Sequence, residues 1–156
     1  MSETAKLENG LALNYVITLL ARRDYSEYEL RCKMQEKSFN KRQIDFAITQ
    51  CQARNWQNDR RFVENYLNFR AQRGFGAKRI SLELLQLKGI EQDLIDDVLS
   101  DSEVDWGEIA ENVLQRKFPQ YRSEVDFKTK QKIWRYMLSH GFYAEEFEDL
   151  INMDDY

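Results

Sequence analysis

The sequence predicts an all-α protein of three tandem three-helix repeats, stacked into an elongated, curved array. Three observations carry that expectation. The 156 residues include one proline and six glycines, so long stretches run without a helix breaker. Apolar residues recur at three- and four-residue intervals, and runs that alternate with period two between turn pairs are absent. The pattern also repeats itself: Phe39, Ile44 and Ile48 correspond to Ile90, Ile95 and Leu99, 51 residues on, and to Phe142, Phe147 and Ile151 a further 52 on.

Residues 1–10 are polar and end in Asn9-Gly10, which predicts a flexible N-terminus. The first repeat spans 11–57. Leu13, Val16, Ile17 and Leu20 mark its first helix, closed near Arg22-Arg23-Asp24. Ser26 and Glu29 have the spacing of a capping box and open a second helix with Leu30 and Met34. Asn40 and Gln43 repeat that spacing ahead of Ile44, Ile48 and Cys51, and the third helix ends near Trp56.

The second repeat spans 58–101 and begins with a helix from Phe62 to Arg73. Gly74-Phe75-Gly76 gives a pliable entry to the next helix, whose Ile80, Leu84 and Leu87 form one stripe and leave Arg79, Glu83 and Lys88 toward solvent. Gly89 supplies the left-handed position that ends it, and Ile90 can fold back on the last turn. The third repeat spans 102–156. Asp105 and Glu108 cap its first helix, which runs through Ile109 to Phe118 with Trp106 turned inward. Ile133 and Met137 mark its second helix, His140-Gly141-Phe142 answers Lys88-Gly89-Ile90, and Phe147 and Ile151 call for a ninth helix.

Hydrophobic residues make up 42% and charged residues 32%, the balance of a globular chain rather than a disordered one. Neither a signal-length apolar run nor a membrane-length span appears, and Cys32 and Cys51 stand apart, so a reduced cytoplasmic setting is expected. The net charge of −4 hides a division: residues 1–90 carry +6 and residues 91–156 carry −10. Blocks of alternating sign suggest distinct faces and a partner with its own charge pattern, although solvated helix faces produce the same blocks.

Little in the chain points to catalysis. One histidine and two isolated cysteines do not make a metal site or a nucleophilic triad. Gly74 and Gly76 lack the third glycine and the preceding strand of a nucleotide fingerprint. The carboxylates lie in polar blocks with no apolar setting to raise a pKa. His140, just before Gly141, sits where an imidazolium would favour the helix dipole. The expectation is a protein that is not an enzyme, with no cofactor, no metal, no small-molecule substrate and no membrane partner.

Basic residues are the better lead. Arg22, Arg23, Arg31 and Lys33 cluster around the first repeat's middle helix, Arg70, Arg73, Lys78, Arg79 and Lys88 around the second's, and Arg116, Lys117, Lys130, Lys132 and Arg135 around the third's. In a stack, such patches would line one side of an arc and face an acidic partner; the competing reading is helix faces balanced by Glu27, Glu29 and Glu83. Tyr15, Tyr28, Trp56, Tyr66, Phe69 and Trp134 would stack on bases, or simply fill the core.

The stretch from Arg22 to Met34 resembles the opening signature of the RecX regulators, bacterial modulators of the RecA recombinase. Asp59 to Phe62, Gly74 to Ile90, and Lys130 to Met137 with His140-Gly141-Phe142 are similar to that family's later motifs, in the family's order. Ala77 stands where the family usually has proline, and Cys32 where a basic residue is common. The resemblance implies a non-enzymatic protein that lies in the groove of RecA filaments on DNA, spans adjacent protomers, and restrains filament growth, ATP hydrolysis, strand exchange and co-protease activity. A weak direct contact with DNA is compatible with it. The competing class is a helical DNA-binding protein with Arg79 and Arg135 on recognition helices; an isoelectric point near 5.2 speaks against strong nonspecific affinity. A helical adaptor for some other protein rests on architecture alone.

Overall fold

Every regular element in the computed structural model, which describes residues 2–153, is helical. The helices are α1 (Glu3–Arg22), α2 (Glu27–Glu36), α3 (Lys41–Ala53), α4 (Asp59–Gln72), α5 (Ala77–Gln86), α6 (Gln92–Asp101), α7 (Trp106–Lys117) and α8 (Phe127–Ser139), followed by two short 3-10 turns, Ala144–Glu146 and Glu148–Leu150. Both sequence-predicted capping boxes form, at Ser26/Glu29 and Asn40/Gln43. Asn58, Asp105 and Asp126 cap α4, α7 and α8 through single side-chain bonds to the third residue on.

Three apolar cores follow one another along the chain. Val16 and Leu19 meet Leu30, Met34, Ile44 and Ile48, with Ala12 and Ala47 small enough for α1 and α3 to approach closely. Phe62, Val63 and Leu67 meet Ile80, Leu84, Ile90 and Ile95. Val113 and Leu114 meet Ile133, Met137, Phe142, Phe147 and Ile151. The self-similarity of the sequence is thus a similarity of cores. Each repeat buries its own apolar face, and α7 also lends Trp106 and Ile109 to the second core.

Four expectations are corrected. The N-terminus is helical from Glu3 rather than loose: Ser2 caps it, and Gln43 of α3 donates to Glu8 at 3.1 Å. Packing of α1 on α3 carries the helix through Asn9-Gly10 against their local preference. Leu87 leaves the buried stripe and is 63% exposed; α5 stops at Gln86, and Ile90, returning after Gly89 at φ +64°, takes the buried place. Glu83 and Lys88 do not face solvent, their side chains being 14% and 24% exposed. Finally, 3-10 turns replace the ninth helix. Glu145, Glu146, Glu148 and Asp149 have no base between them, and like charges three and four residues apart oppose a helix there.

Candidate nucleic-acid and protein interface

Polar networks lock the repeats together, and several of the predicted cations belong to them. Ser26, fully buried, donates from Oγ to the Lys88 carbonyl at 2.7 Å and accepts from the Glu29 N–H, so the cap of α2 is also a bolt onto the second repeat. Beside it the Glu27 N–H donates to Asp59 Oδ1 at 2.9 Å. Glu29 receives Arg23 at 3.0 Å and Lys88 at 3.2 Å. Burial works to raise its carboxyl, yet the bonds from Arg23, the Ser26 N–H and Lys88 hold it below the ordinary value.

Glu83 is the matching anchor inside the second repeat. Arg70 grips it with two bonds of 2.7 and 2.9 Å, Tyr66 donates at 2.9 Å, and Arg79 approaches at 3.4 Å. Burial again raises this carboxyl, and the bonds from Arg70, Tyr66 and Arg79 bring it below its usual range. Burial and the bond to Glu83 push the Tyr66 phenol up to about 12.

The second and third repeats meet through main chain. Gly76 N–H donates to the His140 carbonyl at 2.8 Å and Lys78 N–H to the Gly141 carbonyl at 3.0 Å. A ring stack runs across this seam. Arg70 and Arg79 cover Phe75 at 3.8 and 4.5 Å, Phe75 lies on His140 at 5.2 Å, and His140 lies on Tyr136 at 4.0 Å. Burial, with the charges of Arg79 and Lys117, lowers the His140 pKa against the pull of the Gly74 carbonyl. An imidazolium at this helix end is therefore disfavoured.

The predicted basic face accordingly divides. Arg23, Arg31, Arg70, Arg79 and Lys88 are held in ion pairs, Arg31 with both Glu27 and Asp45. Lys130 donates to the Asn152 carbonyl. Arg73 and Lys117 lie over the rings of Phe69 and Tyr136. Arg22, Lys33, Lys78, Arg116, Lys132 and Arg135 are exposed, without an ion pair among the described residues. The fold brings Arg73, Arg116 and Lys117 to one cleft with Tyr136 and His140; Arg22 and Lys33 stand outside it. Sequence reasoning did not find Tyr136 or Gly74 as neighbours of these cations. The four-residue step from Tyr136 to His140 was visible, but their meeting with α4 and α7 is tertiary. Among the described residues no His, Cys, Asp and Glu side chains gather as a metal-holding group, and no helix is long and apolar enough to cross a membrane.

Family models for the first, second and third three-helix domains of RecX match residues 12–51, 58–99 and 103–151. The chain is 59% identical over 146 residues to "Regulatory protein RecX" of Haemophilus influenzae (strain PittEE), covering 94% of this chain and 96% of that one. It is 58% identical over 145 residues to the protein of that name from Pasteurella multocida (strain Pm70), covering 93% and 88%. A crystal structure of regulatory protein RecX superposes with a TM-score of 0.81 at 18% identity, over 96% of this chain and 79% of that one. RecX from Lactobacillus salivarius gives 0.79 at 19%, over 92% and 94%.

Proposed function

Because this chain belongs to the RecX family of regulatory proteins, we propose that it binds RecA filaments on DNA and restrains them. It lies in the filament groove across adjacent protomers, in the cytoplasm, and limits extension, ATP hydrolysis, strand exchange and co-protease activity, with no catalysis of its own. Recombination, DNA repair and the SOS response are the processes it would tune. The contacting units are the repeats at 11–57, 58–101 and 102–156.

One observation supports this reading above the others: three separately cored repeats are bolted together while each leaves outside cations that have no ion pair among the described residues. A stiff stack can touch more than one protomer of a polymer, and linked weak contacts gain from high effective concentration. Direct DNA reading through recognition helices is less well supported. Arg135 on α8 has no ion pair among the described residues, but Arg79 on α5 is engaged with Glu83 and the Ser139 carbonyl.

The test is addition of the chain to preformed RecA–DNA filaments at equal stoichiometry, following ATP turnover and filament length. Wild type should slow turnover and shorten filaments. Reversing one unpaired cation per repeat, Arg22→Glu, Lys78→Glu and Arg135→Glu together, should raise the amount required about tenfold or more. Undiminished inhibition by the triple variant would remove the basic surface from the mechanism.

A further inference from the structure

At the seam between the second and third repeats, Arg73 just past α4 and Arg116 and Lys117 at the end of α7 open onto one cleft of about 220 Å³, with Gly74, Tyr136 and His140. Among the described residues no carboxylate lines it. That sets it apart from the other junction clusters, where Glu29 answers Arg23 and Lys88, and Glu83 answers Arg70 and Arg79. The cations are also positioned. Arg73 lies 4.7 Å over the Phe69 ring, Lys117 lies 5.7 Å from the Tyr136 ring, and the Arg116 guanidinium comes within 3.0 Å of where a Cβ on Gly74 would stand. Three like charges around one concavity repel, and an anion placed among them removes that repulsion.

We propose that this cleft binds a phosphate of a single nucleic-acid strand, and that His140 strengthens the hold when it gains a proton. The proposal deepens the filament-binding reading and rests on it only for the setting in which a strand is met. It assigns this part of the basic surface to nucleic acid rather than to protein. Two guanidinium forks and an ammonium suit an oxyanion with several acceptor oxygens better than one carboxylate with two. A strand also has features to follow on either side. Lys128, Lys132 and Arg135 recur at four- and three-residue steps along the exposed face of α8, whose C-cap is His140. The Phe69 ring, 53% exposed beside Arg73, offers a surface for base stacking.

His140 couples the cleft to pH through its surroundings. Arg79 of α5 and Lys117 of α7 face it with positive charge, the Gly74 carbonyl accepts from it, and the rings of Phe75 and Tyr136 sandwich it. Arg73 and Arg116 share the same cleft. A phosphate there cancels the repulsion that opposes the imidazolium, so proton uptake and strand binding favour each other.

The experiment uses the whole chain and a fluorescein-labelled oligothymidylate, without RecA, read by fluorescence anisotropy over a salt series. Arg116→Gln with Lys117→Gln should weaken binding about tenfold or more and reduce the salt slope by roughly 0.7, one phosphate contact on a single strand. Lys41→Gln with Arg42→Gln, on exposed α3 positions, should bind as wild type, and circular dichroism checks that both variants fold. Wild-type affinity should rise several-fold as pH falls from neutral to about 5, and His140→Phe, which keeps a ring in the stack, should flatten that rise. Binding by Arg116→Gln/Lys117→Gln within twofold of wild type would overturn the site, as would an equal loss in the α3 pair. A pH-independent wild type would overturn the role of His140. Should the cleft variant keep the oligonucleotide but lose RecA filaments, the cleft holds an acidic protein side chain and the proposal falls. If it loses the oligonucleotide but still restrains filaments, the proposal stands and the cleft is not needed for filament docking.

Discussion

Glu83 shows how a single side chain decides what the surrounding cations do. Its carboxylate gathers Arg70, Arg79 and Tyr66, and the two arginines in turn cover the Phe75 ring that leads to His140. Glu83→Gln removes the charge while keeping the shape, leaving Arg70, with its side chain 21% exposed, facing a neutral amide. We expect a loss of about 2–3 kcal/mol at neutral pH, read from urea unfolding. The pH dependence follows from the lowered pKa of Glu83 in the folded state. Its contribution is complete above the carboxyl's unfolded value and is lost as pH falls from there through the folded value, so the gap between wild type and variant should close in acid. A gap that stays constant down to strongly acidic pH would show that the loss comes from packing rather than charge. The same residue explains why the candidate basic surface was only partly legible in the sequence. The competing idea of balancing glutamates was sound, since Glu27, Glu29 and Glu83 each hold cations. The pairs that matter most, Arg70 to Glu83 and Lys88 to Glu29, span 13 and 59 positions, and no helical spacing reveals them.

Helices were more legible than their ends or their partners. Caps at Ser26, Asn40 and Asp105 and the glycine stop at Gly89 were readable because they are local chemistry. The first turns of α1 and the missing ninth helix were not, because packing decided the one and the balance of like charges the other. Gly76 belongs to this level as well. Its place at the start of α5 is readable, but its reason is tertiary: a Cβ there would stand 2.4 Å from the carbonyl group of Gly141, at the turn following α8. Gly76→Ala must push α5 and the α8 turn apart, stretching the bond from its N–H to the His140 carbonyl. We expect a loss of about 2 kcal/mol or more. Faster amide exchange at Gly76 and Lys78, with amides inside the first repeat unchanged, would mark the seam as the damaged part. Uniform acceleration across all three repeats would instead mean that the molecule opens as one unit.

In the proposed function the whole molecule acts through the stiffness of its junctions. Repeat arrays are stable by the sum of repeat and neighbour terms, so weakening one neighbour term can split unfolding into steps while every core stays intact. Ser26→Ala with Asp59→Ala does this between the first and second repeats. It removes the hydroxyl that reaches the Lys88 carbonyl and caps α2, and the carboxylate that receives the Glu27 N–H and the Gln57 amide, and it leaves every cation in place. Denaturant unfolding should change from one transition to two. If restraint of RecA filaments comes from linked contacts on a rigid stack, the variant should need about tenfold or more protein for the same inhibition, because a loose joint lowers the effective concentration of the next contact. If it comes from one repeat acting alone, two-step unfolding will appear with inhibition unchanged. The pair of measurements therefore separates a molecule that works by its span from one that works by a patch, and the bolting of Ser26 to the Lys88 carbonyl favours span.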